Sequence, residues 1–188
     1  AEIWRQTESF AGYAFAKGHS ASYAVESYQS LYLKAYYPLE YMVATVNNGG
    51  GFYTREHYVH EARMHGGLIE APCIQESIYL TNIRNQVVHL GLHLVKGLDT
   101  VVADRIVSER VMGCYENLGN LLDRVPMGME QLNILIHVGA LRRLNENKKE
   151  LLWQAYTILE KKQKRHDEQI RMFHPPTKEY GLPHLDHQ

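Results

Sequence analysis

The sequence predicts a mainly α-helical, multi-helical protein with a helix-hairpin-helix unit and one small β-hairpin. Apolar residues recur at helical spacing along most of the chain, and glycines and prolines divide that pattern into short helices. One stretch, residues 78–90, is instead rich in β-branched and aromatic residues. With 188 residues, of which 45% are hydrophobic, the chain is long enough to bury an ordinary core.

The first predicted helix begins at Ser20, a residue type favoured as an N-cap, and runs to about Tyr37. Pro38 starts a second helix, because proline fits the first helical turn. The Asn-Asn-Gly-Gly-Gly sequence at 47–51 ends that helix in a flexible turn. These signals predict two consecutive helices at the start of the chain.

Thr54 is predicted to cap a third helix, which stops at the glycine pair beginning with Gly66. Residues 68–78 contain a proline and are predicted to be an extended, irregular connection. The strand-forming stretch 78–90 is predicted to be a hairpin that turns at Arg84-Asn85.

From Leu92 onward the helical period returns. A long helix is predicted from about Asn147 to His166, because one of its faces is apolar. The last fifteen residues contain three prolines and are predicted to be a tail. The shorter predicted helices cover residues 92–96, 100–111, 117–125 and 129–138.

Composition limits the classes of protein. No apolar run approaches the ~18 residues that span a bilayer, so a membrane protein is not expected. Cys73 and Cys114 lie far apart without metal-ligand spacing, which favours a reducing cytoplasm. The sequence begins without Met, on what is predicted to be a helix, so we expect a piece of a larger protein.

The net charge of −1 argues against a nucleic-acid partner only when the chain is taken as a whole. Residues 142–165 hold eight Lys and Arg against three Glu, a local charge of +5. Either a solvated helix face or a contact with DNA accounts for this distribution.

Near the N-terminus, Lys17 and His19 come just before the predicted start of a helix. Two cationic side chains beside helix N–H groups suit a phosphate or triphosphate, whereas the simpler interpretation is a helix cap with two surface cations. Tyr28, Tyr32 and Tyr36 follow at helical spacing. Such a stripe either stacks on bases or, more commonly, forms a packing face.

The chain has 11 histidines, which raises the possibility of a metal site. His57, His60, Glu61 and His65 share the third predicted helix, but no HExxH sequence is present. Imidazoles on a polar helix face are the simpler account, so we predict no metal site and regard a histidine-metal hydrolase as remote.

The sequence around Gly97 predicts a helix-hairpin-helix, in which a short helix, a tight turn and a second helix follow one another. Such a turn offers backbone N–H groups to a DNA phosphate without reading the base sequence. Asp99 stands at a position where it should cap the second helix, but its carboxylate would repel a phosphate. The hairpin is therefore either a phosphate contact or purely structural. The candidate DNA-binding residues of this turn are Lys96, Gly97, Leu98, Asp99 and Thr100.

The sequence Gln169-Ile170-Arg171-Met172-Phe173 follows a basic helix. Its apolar side chains would fill a pocket on a partner while Gln169 hydrogen-bonds at the edge, as short linear motifs do. The end of an amphipathic helix has a similar pattern.

In this order, the elements resemble the alpha subunit of bacterial DNA polymerase III, the C family of replicative polymerases. The resemblance is closest over residues 10–40, FAGYAFAKGHSASYAVESYQSLYLKAYYPLE, which is similar to the family's fingers segment. It continues through HEARMHG at 60–66, LGLHLVKGL at 90–98 and LIHVGALRRL at 135–144, and so covers nearly the whole chain. The family has a helix-hairpin-helix at this place and a sliding-clamp-binding peptide after it.

The resemblance implies polymerisation of dNTPs on a primer-template duplex, with a sliding clamp and other replisome subunits as partners. Lys17 and His19 match the fingers motif beside the incoming nucleotide. The family's metal-binding carboxylates and their Mg²⁺ belong to the palm, which this chain lacks, so we expect no cofactor here and no activity of the chain alone. Gln169, Ile170, Met172 and Phe173 match the clamp-binding peptide. Further candidate DNA contacts are Arg142, Arg143, Lys148 and Lys149.

The predicted organisation has four parts: the end of the fingers (1–67), a β-hairpin plus helix-hairpin-helix domain (68–145), a basic helix with the clamp peptide (146–173) and a tail (174–188). Two other functions remain open. The chain also resembles the second, error-prone alpha-type polymerase, which acts in repair and translesion synthesis. A non-enzymatic helix-hairpin-helix module that holds duplex DNA is the alternative from a different class.

Overall fold

The computed structural model describes residues 2–6, 8 and 17–173, except for the side chains of residues 17, 166–168 and 170–173. Residues 10–16 of the fingers-like sequence and the tail at 174–188 lie outside the described residues. The chain divides into two compact units. The first comprises Ala1–Pro72 and Glu76–Leu94, and the second Cys73–Gln75 and Val95–Gln188.

The helices α1 (Lys17–Tyr36), α2 (Pro38–Asn47) and α3 (Arg55–Met64) belong to the first unit, in which the described residues 2–6 and 8 are also helical. The prediction of Ser20 as an N-cap was wrong, because helical backbone already begins at Lys17 and places Ser20 inside the first turns. Pro38 occupies the first turn of α2, as predicted.

The core of the first unit lies between α2 and α3. Met42 and Val46 of α2 pack with Tyr58 and Ala62 of α3, and all four are buried. The spacing of each pair, four residues apart, places its two members on one face of a helix. Around this cluster pack the half-buried side chains of Leu39, Tyr41, Val59, Ile69 and Leu94.

A three-stranded sheet completes the first unit, with β1 (Leu68–Glu70), β2 (Asn82–Arg84) and β3 (Val87–His89) in the order β1-β3-β2. β2 and β3 form the predicted antiparallel hairpin, but it turns one residue later than predicted, at Asn85 and Gln86, which both have positive φ. The prediction of an irregular connection at 68–78 was wrong at its start, because β1 pairs there in parallel with β3.

After a single 3₁₀ turn at Leu92–Leu94, shorter than the helix predicted there, the second unit contains α4 (Thr100–Glu109) and α5 (Leu118–Arg124). A 3₁₀ turn at Arg110–Met112 follows α4. α6 (Met129–Val138) matches its prediction and ends at Gly139 in left-handed conformation.

The last helix, α7 (Lys148–Phe173), begins where predicted but continues seven residues beyond His166. Leu151 and Ala155 are fully buried on its predicted apolar face. They join a core that contains Leu121 and Leu135 of the preceding helices, both completely buried. The sequence pattern therefore identified the buried face of α7 but not the end of the helix.

The short segment Cys73–Gln75 belongs to the core of the second unit. Ile74 is completely buried, and its N–H donates to the carbonyl oxygen of Ala140 at 3.0 Å. The Gln75 side-chain amide accepts from the Tyr115 N–H at 3.0 Å and donates to the Tyr115 carbonyl oxygen at 2.6 Å. One backbone hydrogen bond from Ile74 and two from the Gln75 side chain therefore hold this turn in the second unit.

Candidate nucleic-acid interface

The turn before α4 has the geometry predicted for a hairpin. Gly97 adopts φ +84°, a left-handed conformation that disfavours residues with a Cβ. A Cβ at this position would also lie 3.2 Å from Ile134 Cδ1. The Leu98 N–H donates to the Val95 carbonyl oxygen at 3.2 Å, which closes the turn. Lys96 and Asp99 are both exposed on either side of the glycine.

Gln131 of α6 holds this turn in place. Its Oε1 atom accepts a hydrogen bond from the Asp99 N–H at 2.8 Å, and its Nε2 atom donates to the Gly97 carbonyl oxygen at 3.1 Å. One side-chain amide thereby satisfies a backbone donor and a backbone acceptor on the two sides of Leu98. Gln131 could not be identified from the sequence, because a side-chain amide that binds a distant backbone leaves no sequence pattern.

Asp99 occupies the N-cap position of α4, but its side chain makes no capping hydrogen bond, contrary to the prediction. The exposed carboxylate therefore adds a negative charge beside the turn without satisfying a helix N–H group. Because Gln131 already binds the Asp99 N–H, an anion at this turn would meet the amides of Val101 and Val102. These belong to the first turn of α4 and have no acceptor within the helix.

Two of the predicted DNA-binding cations bind carbonyl oxygens at the C-terminal end of α6. Lys148 Nζ donates to the His137 carbonyl oxygen at 2.7 Å, and Arg142 Nη1 donates to that of Gly139 at 3.4 Å. A cation at a helix C-terminus offsets the partial negative charge of the last carbonyls. Arg143 and Lys149 are exposed nearby. A DNA role for all four residues stays a prediction.

Part of the positive charge on α7 is also paired. Lys162 Nζ lies 2.8 Å from Asp123 Oδ1, and Lys164 Nζ lies 2.7 Å from Glu160 Oε1. The hydrogen bond from Lys164, followed by the charge of that ammonium group, lowers the pKa of Glu160. Glu160 is already counted in the local charge of +5, whereas Asp123 lies outside residues 142–165, so its pair with Lys162 lowers the charge left for a partner.

The candidate nucleotide-binding residues lie at the start of α1. The His19 ring packs edge-on against Tyr23, with their centroids 4.5 Å apart, while the Lys17 side chain is outside the described residues. Tyr28, Tyr32 and Tyr36 are 71%, 46% and 69% exposed, so the tyrosine stripe is not a core face of this unit.

The histidines on α3 lie beside acidic and basic side chains. His57 Nε2 lies 3.7 Å from Glu61 Oε1, which confirms that the two are neighbours, and Lys34 Nζ lies 3.2 Å from the same oxygen. Among the residues whose side chains are described, no group of three His, Cys, Asp or Glu could hold a metal ion.

The proposed clamp peptide forms the last turns of α7, so its backbone is helical. Gln169 is exposed. The side chains of Ile170, Met172 and Phe173 lie outside the described residues.

Comparison with known proteins identifies the hairpin region. Residues 66–151 match a family model described as a helix-hairpin-helix motif. The chain is 34% identical over 164 residues to DNA polymerase III subunit alpha of Xylella fastidiosa, and 30% identical over 167 residues to an error-prone DNA polymerase of Saccharophagus degradans. Each match covers 84% of this chain.

The chain is a homologue of one segment of the DNA polymerase III alpha-subunit family. It spans 14% of the Xylella polymerase and 16% of the Saccharophagus polymerase. An error-prone DNA polymerase of Corynebacterium glutamicum is 31% identical over 155 residues. Both kinds of alpha-type polymerase are therefore among the relatives. Within the described part of the chain, no helix is long and apolar enough to cross a membrane.

Proposed function

We propose that this chain is the part of an alpha-type DNA polymerase that joins the end of the fingers to a DNA-contacting hairpin and a clamp-binding peptide. In the complete polymerase it would help to extend a primer on a template during DNA replication. The chemistry would belong to the palm with its Mg²⁺, so the chain alone would be inactive. Its own contribution would be to hold the duplex and the sliding clamp.

The observation that carries this proposal is the hairpin turn fixed by Gln131. Gly97 in left-handed conformation forms the turn that precedes α4, and the exposed Lys96 stands next to Gly97 in the sequence. Amides at a helix start bind phosphate oxygens, and a neighbouring lysine adds charge without reading sequence. This arrangement suits a polymerase, which must hold duplex of any sequence.

Binding of a fluorescently labelled primer-template duplex, followed by anisotropy at increasing salt, tests the proposal. We expect a negative log–log slope, and Lys96→Ala should reduce its magnitude by about 0.9, the contribution of one phosphate contact. Arg84→Gln is the control, since it removes an exposed positive charge from β2 in the first unit. If Lys96→Ala leaves the salt slope of duplex binding unchanged, the hairpin turn does not contact the duplex.

Error-prone synthesis is the second candidate function. Its support is the presence of error-prone polymerases among the relatives, at 30% and 31% identity. The two candidates differ in the fidelity of the complete polymerase, which a mutation-frequency assay on a primed template would measure.

A further inference from the structure

A groove of about 390 Å³ runs along α3 in the first unit. Its floor is aliphatic and half-buried, and its rim is polar and exposed. The floor consists of Val59, Leu90 and Leu94, and the rim of Arg55, Glu56, His60 and Arg63.

The basic side chains of the rim follow one face of α3. Arg55, Val59 and Arg63 are spaced four residues apart, so they lie one above another along the helix. At 1.5 Å per residue, the Cα atoms of Arg55 and Arg63 are about 12 Å apart. The two guanidinium groups therefore form a line of charge beside an apolar floor.

The rim cations differ in their pairing from those on the other side of α3. Glu61 binds both Lys34 and His57 there. Within the described part of the chain, the side chains of Arg55, His60 and Arg63 make no hydrogen bond or ion pair. Glu56 is the only acidic residue of the groove. The rim thus carries two arginines that form no ion pair and one carboxylate, that of Glu56, beside an aliphatic floor.

We propose that this groove binds single-stranded DNA, an inference that rests on the proposed polymerase function. Phosphodiester oxygens would bind Arg55 and Arg63, because guanidinium groups match phosphate geometry. The His60 ring would add an N–H donor, and a base would lie against the aliphatic floor. Contacts to phosphodiester oxygens carry no base information, so binding would tolerate any sequence.

The spacing of Arg55 and Arg63 along α3 favours a DNA strand over a free nucleotide as the ligand. A triphosphate concentrates its charge at one point, whereas the phosphates of a strand are spread along its length, as Arg55 and Arg63 are along α3. The groove also lies in the first unit, whereas the hairpin turn lies in the second. The two surfaces can therefore be tested separately.

The test measures anisotropy of a labelled oligothymidine of about 12 nucleotides, a length within the range of single-strand sites. Replacing both arginines, R55Q with R63Q, should weaken binding about tenfold at low salt and reduce the magnitude of the salt slope by about 1.4. Glu56→Gln should tighten binding about twofold, because it removes a charge that repels phosphate. Arg84→Gln, an exposed arginine of the same unit, should change the affinity less than about twofold.

The three altered side chains of the groove are exposed, so the Tm should stay unchanged and report intact folding. Equal affinity of R55Q/R63Q and the unaltered chain would overturn the proposal. So would displacement of the oligonucleotide by inorganic triphosphate as efficient as that by unlabelled strand. The two proposals can also fail separately. If the unaltered chain does not bind duplex, but R55Q/R63Q loses single-strand binding, the role of the groove is supported and that of the hairpin turn is refuted.

Discussion

The side chain of Gln131 fixes the backbone of Asp99: Gln131 Oε1 accepts the Asp99 N–H at 2.8 Å, across 32 residues of sequence. Its other amide atom holds the Gly97 carbonyl oxygen. Both bonds connect the start of α6 to the turn before α4. The conformation of the proposed phosphate-binding turn therefore depends on a residue that would not itself touch DNA.

Gln131→Ala should destabilise the second unit by about 1–2 kcal/mol, since it removes two hydrogen bonds of about 1 kcal/mol each. Urea unfolding would give this difference, and amide exchange should speed up at Asp99. Gln154→Ala is the matched control, because the Gln154 amide bonds only to the exposed Glu150 on its own helix. If both variants lose the same stability, the two hydrogen bonds from Gln131 to the turn stabilise the unit no more than the exposed bond of Gln154 does.

Asp99→Asn should strengthen duplex binding about threefold at low salt. It removes the negative charge of a carboxylate that makes no capping hydrogen bond and stands beside the amides of α4. Anisotropy at two salt concentrations measures this, and the gain should shrink as screening increases. Stability should change by less than about 0.5 kcal/mol, since the carboxylate makes no capping bond. A weaker duplex complex in Asp99→Asn would contradict this account of the turn.

Tyr115 should make the stability of the second unit depend on pH in the alkaline range. Burial raises the pKa of Tyr115 above its ordinary value near 10, and its hydroxyl donates to the Ile106 carbonyl oxygen at 2.8 Å. The Arg124 guanidinium, 4.5 Å from the centre of the ring, opposes that rise. The phenol is thus harder to ionise in the folded chain than in the unfolded one.

Below about pH 10 the phenol keeps its proton in both states and contributes no pH dependence. Above it, the unfolded chain releases the proton first, so the free energy of unfolding falls as pH rises through the raised pKa. Urea unfolding between about pH 9 and 11 should show this fall. In Tyr115→Phe the fall should be smaller, starting from a stability about 1 kcal/mol lower at neutral pH. Identical pH profiles of the two chains would exclude Tyr115 as the source.

The proposed clamp peptide predicts binding to a bacterial sliding clamp. Phe173→Ala and Gln169→Ala should each weaken the complex by roughly 1–3 kcal/mol, as anchor residues of short motifs do. Titration of labelled clamp with this chain measures the change. Gln163→Ala, also exposed on α7, is the control and should bind as the unaltered chain does. If both test variants bind the clamp as tightly as the unaltered chain, residues 169–173 are not the clamp-binding peptide.

Much of the helical layout could be predicted because local residues determine it. Pro38 starts α2 because its φ is already fixed in the helical range. Gly66 and Gly139 follow the ends of α3 and α6 with positive φ, which glycine adopts easily. The apolar spacing of Leu151 and Ala155 likewise identified the buried face of α7.

What could not be predicted depends on distant residues. β1 exists because Leu68 lies opposite Val87 in a parallel pair, and three residues of sequence give no sign of that partner. The amides of Gln75 and Gln131 bind backbone 40 and 32 residues away. Asn47 does the same in the first unit, where its amide donates to the Thr81 carbonyl oxygen at 2.8 Å and accepts its N–H at 2.9 Å. An amide that bridges to distant backbone has the same local sequence as an exposed surface residue.

The buried position of Ile74 has a consequence for how the protein is made. A ribosome releases Ile74 well before the residues that cover it, since Tyr115, the partner of Gln75, follows 40 residues after Gln75. At ordinary rates of synthesis that interval lasts about 2–8 seconds. During it, Ile74 and Gln75 have been synthesised, but their hydrogen-bond partners Ala140 and Tyr115 have not. The core of the second unit therefore cannot close around Cys73–Gln75 until Ala140 has been synthesised, by which point all three strands of the first unit are already made.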